Sequence, residues 1–108
     1  MKQSEFLEKH IFTDLTNVND GFDNEDIYHF SEEEFETVLQ RAEHFGLGIY
    51  QISPWRNGSF YAVANHVEMK KKATDPRWYK KAFLTFKTAQ PGMTYAATYK
   101  VSNKLLAR

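Results

Sequence analysis

Around Ser31 the chain carries a complete helix-start signature. Ser31 stands as an N-cap with Glu34 three residues on, a capping box, and Phe30 and Phe35 take the staple positions on either side. Glu32, Glu33 and Glu34 fill the first turn, where the helix dipole favours anions. At about 100° per residue Phe35, Val38, Leu39, Ala42 and Phe45 share one apolar stripe, and Gly46 is placed to end the helix in a left-handed turn. A helix over 31–45 with one apolar side must bury that side, so the rest of the chain has to supply a surface for it.

The segments that follow alternate between the two periods. Residues 47–53 and 59–67 read as strands joined by 54–58, and Asn57-Gly58 supports a hairpin turn. Lys70, Lys71 and Lys72 form a basic connector. Asp75 and Pro76 then open a second helix as N-cap and first residue, with Trp78, Tyr79, Ala82, Phe83 and Phe86 as its buried stripe and Pro91-Gly92 beyond its end. Residues 93–101 alternate Met93, Tyr95, Ala97, Tyr99 and Val101 against Thr94, Ala96, Thr98 and Lys100, a strand with one buried face.

Ahead of these, Phe6, Leu7, His10 and Ile11 mark one side of a short helix, and residues 13–26 are polar. The chain thus divides, within one domain over 1–108, into an N-terminal helical arm with an acidic loop (1–25), an α+β core (26–101) and a tail (102–108). If residues 26–30 form a strand, the order is βαββαβ, the ferredoxin-like split-βαβ arrangement; otherwise it is αββαβ. The expected class in either case is α+β, an antiparallel sheet of three or four strands with two helices on one face, plus the short N-terminal helix.

Hydrophobic residues at 42% and charged residues at 26% suit a folded domain rather than a disordered chain. The absence of cysteine excludes disulfides, thiolate metal sites and cysteine nucleophiles. With no apolar run near the length of a membrane span and no signal-peptide pattern at residues 1–10, the expected location is cytoplasmic. The formal net charge of +0 conceals a division. Residues 1–45 hold 12 acids against three bases, a net of −9, and residues 46–108 hold 11 bases against two acids, a net of +9.

Motifs for specific chemistry are few. Setting Gly21 at the sixth position of an EF-hand loop leaves Val18 and Thr16 where carboxylates belong. His10, His29, His44 and His66 are too scattered for a metal signature, and no glycine-rich phosphate loop or nucleophile elbow occurs. No catalytic residue, metal or cofactor is assigned.

Three surfaces remain. For contact with another protein or a second copy of the chain, the candidates are Trp55 and Arg56 at the expected hairpin tip, and Arg77, Lys80, Lys81, Leu84 and Lys87 on the solvent face of the second helix. Leu84 lies about 170° from the buried stripe. For nucleic acid, Lys70, Lys71, Lys72, Lys80 and Lys81 accompany aromatic residues, although the 57–64 strand lacks the paired aromatics of an RNA-recognition motif. For a small molecule, His66 and Tyr95 would line an aromatic pocket on the sheet. The favoured expectation is a small protein-binding or regulatory module acting through protein contacts, a second copy of the chain among the expected partners, with no membrane role.

Overall fold

A computed structural model describes residues 1–107. The capping box forms as the sequence requires: Ser31 Oγ accepts from the Glu34 N–H, helix α2 runs Glu32–Phe45, and Gly46 takes the left-handed conformation at φ 68°. The second long helix, α3 (Pro76–Ala89), starts from Asp75, whose carboxylate accepts from the Arg77 N–H. Hydrogen bonding to the Arg77 side chain and backbone holds the Asp75 carboxyl down at about 2.

The strands are β1 (Phe30–Ser31), β2 (Gly48–Arg56), β3 (Ser59–Phe60), β4 (Ala64–Asn65) and β5 (Thr94–Lys100), all paired antiparallel. Their order is β1-β5-β2-β3, with β4 also on β2. The α+β class is therefore present. The ferredoxin-like order is not the one adopted: the last strand, β5, lies between β1 and β2, where that arrangement would put the third strand. Because β1 and β2 both run antiparallel to β5, they are parallel to each other, and α2 connects them across it. α3 makes the corresponding crossover from the return strand to β5.

The hairpin is longer on one side than the sequence suggested. β2 continues through Pro54 to Arg56, and only Asn57 (φ 50°) and Gly58 (φ 77°) form the turn, the left-handed pair of a type I′ hairpin. Pro54 also accounts for the broken return strand. Its carbonyl accepts from the Tyr61 N–H, so the N–H it lacks would have donated on that same side. There the return strand is interrupted over 61–63, and its register on β2 shifts by one residue between β3 and β4.

The N-terminal segment is a core element rather than a free arm. Helix α1 (Gln3–Phe6) continues as a π-helical turn, Leu7–Ile11, and Phe6, Leu7, Ile11 and Phe12 are all buried with the main core. Two stitches hold it. Arg41 Nη1 on α2 donates to the carbonyls of Ile11 (2.9 Å) and Thr13 (2.7 Å). On β5, Gln3 acts as a strand in miniature: its amide nitrogen donates to the Tyr99 carbonyl (3.1 Å) and its oxygen accepts from the Val101 N–H (3.0 Å). β1 pairs only with Thr94 and Tyr95, so Gln3 seals the far end of an edge that β1 leaves open. The tail also has structure, a helical turn α4 (Asn103–Leu106) capped by Ser102.

Candidate functional site

α2 and α3 lie side by side, and between their outer flanks runs a groove of about 330 Å³. Its floor is Leu39 and Phe83, buried stripe residues of the two helices. One wall is Glu36 and Gln40 from α2, and the other is Lys80, Leu84 and Lys87 from α3. The helical period produces this directly: Lys80, Leu84 and Lys87 fall on one side of α3, a quarter-turn or more from the Trp78, Ala82 and Phe86 stripe. Leu84 is 57% exposed, an apolar side chain at the lip of an apolar floor.

The electrostatics of the groove are two-sided. Lys80 pairs with Glu43 across the helices, and Lys87 Nζ sits 5.2 Å from the centroid of the Phe83 ring, within cation–π range. Lys81 is exposed at the adjoining α3 surface. On α2, Glu34 accepts from the Thr16 N–H and Glu32 from the Gly92 N–H, so Glu36 is left for the groove wall. Charge-to-charge contacts between the acidic and basic halves of the chain are otherwise few among the described residues. Among the described residues the Arg77–Asp75 pair and the His29–Asp23 contact, an ion pair only when His29 is protonated, lie within one half each, and only Lys80–Glu43 bridges them.

The other expected site residues are dispersed. Trp55 does not project from a hairpin tip. It lies within β2, half-buried, its ring edge-on to His29 (5.0 Å) and Phe60 (5.9 Å) and tilted on Phe22 (5.6 Å). Arg56 is exposed at the end of β2, and Arg77 is engaged by Asp75 (2.7 Å). Lys70, Lys71 and Lys72 are exposed on a turn at the opposite end of β2, whose Ala73 flanks Gly48 together with Lys100. His66 and Tyr95 do not share a pocket. His66 Nδ1 donates to the Lys71 carbonyl (2.9 Å), whereas Tyr95 is enclosed between Phe35 (5.2 Å, stacked) and Phe83 (5.0 Å, edge-on). Burial, with the nearby Glu32 charge, pushes the Tyr95 hydroxyl up to about 12, so it holds its proton.

A buried polar pair that no sequence motif marks lies under the acidic loop. His29 is fully buried, with Nε2 2.7 Å from Asp23 Oδ2. A carboxylate only accepts, so Nε2 carries the proton, and among the described residues Nδ1 has no hydrogen-bond partner. Asn19 organises the loop between them, donating to the carbonyls of Asn24 and Ile27 (both 2.9 Å). Nothing in the local pattern marks Asp23 and His29, because their meeting depends on how the loop folds back. Among the described residues no group of three or more His, Cys, Asp or Glu is placed to hold a metal ion, and no helix is long and apolar enough to cross a membrane.

No family model, curated protein or solved structure matches this chain.

Proposed function

We propose that the protein is a small cytoplasmic interaction module that pairs with a second copy of itself through the α2–α3 groove. The observation that carries this reading is the two-sidedness of the groove. A two-fold contact must be self-complementary, and here an acidic wall and a basic wall flank one apolar floor. Turning one copy over the other sets Glu36 of each against Lys87 or Lys81 of its mate, and seats each exposed Leu84 over the other's floor. That only one ion pair joins the acidic and basic halves among the described residues supports the same reading, since charges such as Glu36 and Lys81 have no ion-pair partner there and can meet one across an interface.

The test is the solution mass with and without Leu84. Light scattering is expected to give about twice the 12.7 kDa of the chain, and Leu84→Glu is expected to return it to the monomer mass with an unchanged circular dichroism spectrum. A wild-type monomer at high micromolar concentration overturns the proposal, as does a dimer indifferent to Leu84→Glu.

A nucleic-acid reading draws support from one observation, that Lys100 flanks Gly48 opposite Ala73, the residue that follows the exposed Lys70, Lys71 and Lys72. The apolar floor and carboxylate wall of the α2–α3 groove favour a protein surface there instead.

A further inference from the structure

Where β1 stops pairing, residues 26–28 turn away from β5 and a cavity of about 400 Å³ opens in the fork. That volume is within the range of small-molecule sites. We propose that this fork binds an organic ammonium group, held by Asp26 and by the rings of Tyr28 and Tyr50.

The lining excludes the other ligand classes in turn. Four aromatic residues, Phe12, Tyr28, Tyr50 and Tyr99, line the cavity, and among the described residues its one charged lining residue is Asp26. Among the described residues no lysine, arginine or histidine lines it, so an anion would meet a carboxylate with no described cation to balance its charge. A neutral apolar ligand would fill the rings but gain nothing from the Asp26 carboxylate. An organic cation satisfies both, through the ring quadrupoles and the carboxylate.

Two details strengthen the cation preference. Phe12 stacks on one face of Tyr28 at 4.7 Å, and the Tyr28 hydroxyl donates to Glu8 Oε1 at 3.0 Å. A phenol that donates to a carboxylate is richer in electron density, which deepens the attraction of its ring for a cation. The burial and Glu8 contact that push the Tyr28 hydroxyl above its usual range agree with this. The second detail is the backbone. Gln3 binds the Tyr99 carbonyl and the Val101 N–H, which fixes the odd residues of β5 as those whose backbone groups point to this edge. Ala97 is therefore oriented the same way, in the stretch between the Phe30–Tyr95 rung and the Gln3 clamp, and its carbonyl adds a negative dipole at the fork.

The probe is choline, compared with its neutral isostere in which carbon replaces the quaternary nitrogen. Titration followed by nitrogen–proton correlation NMR is expected to shift the Ala97, Thr98 and Tyr99 amides with a dissociation constant of about 1 mM for choline and about tenfold higher for the isostere. Asp26 is exposed, so Asp26→Asn leaves the fold intact and is expected to weaken choline about threefold to tenfold. Tyr28→Phe, which keeps the ring and its packing, is expected to weaken it less. Equal affinity for choline and the isostere, no shift at the fork at about 50 mM choline, or an Asp26→Asn protein that binds as wild type each overturns the proposal. A peptide bearing trimethyllysine separates the sources: tighter binding than choline assigns the cation to a protein side chain, and equal binding assigns it to a free small molecule.

Discussion

His29 carries its polarity into the core on the strength of one bond. Burial raises the Asp23 carboxyl, but the His29 hydrogen bond, the Asn24 N–H and the charge of His29 outweigh that, so the carboxyl titrates below its ordinary value of 3.8. A depressed carboxyl stabilises the fold above the unfolded value and loses that contribution as pH falls through the lower, folded value. The Asp23 contribution is thus intact at neutral pH and fades below about pH 4. Asp23→Asn is expected to cost about 1–3 kcal/mol at pH 7, because an amide gives the buried imidazole a weaker partner. Urea denaturation of both proteins at pH 7 and pH 3 checks this: the gap between them should narrow in acid. Residues of this kind were not legible in the sequence. Asp23 looks like one more acid in a polar loop, and Gln3 like one more surface amide, until the chain has folded and set them beside partners far along it.

At the level of elements, legibility followed locality. Both long helices could be read because their starts, stripes and stops are written within a few residues of each other, and Leu84 could be singled out because the wheel alone puts it off the stripe. The opposite wall of the groove could not, since Glu36 and Gln40 acquire a role only when α2 lies beside α3. Pro54 misled for a physical reason. Proline usually ends a strand, but here its missing N–H coincides with the gap in the return strand, so β2 continues and Trp55 turns inward. The Asn57-Gly58 turn then supports the acidic loop as well as the hairpin, because a Cβ on Gly58 would come within 3.3 Å of Phe22 Cβ. Gly58→Ala is expected to destabilise by about 1–2 kcal/mol through its left-handed backbone, seen as a lower melting temperature. By pressing on Phe22 it should also speed amide exchange across the 19–29 loop. An unchanged exchange pattern there would mean that the turn and the loop are independent.

For the whole molecule, neutrality in sum and division in sequence have one outcome: opposite charges held on neighbouring helices, with one ion pair between the chain's two halves among the described residues. A dimer built on them must feel ionic strength. Its dissociation constant is expected to rise about threefold to tenfold on raising salt from about 50 to 500 mM, while the apolar floor keeps some association. Sedimentation at the two salts measures it, and a constant that falls with salt would point to an interface made by apolar contact alone. The sheet order has a consequence in time. β5 is the last strand in chain order, yet it is central, flanked by β1 and β2, and the Gln3 clamp waits on it from the opposite end of the chain. During synthesis the first helices and the hairpin therefore emerge with the middle of their sheet still missing. Until residues 94–101 leave the ribosome, β2 presents a bare edge to whatever is near, and β1 and Gln3 have no strand to close on.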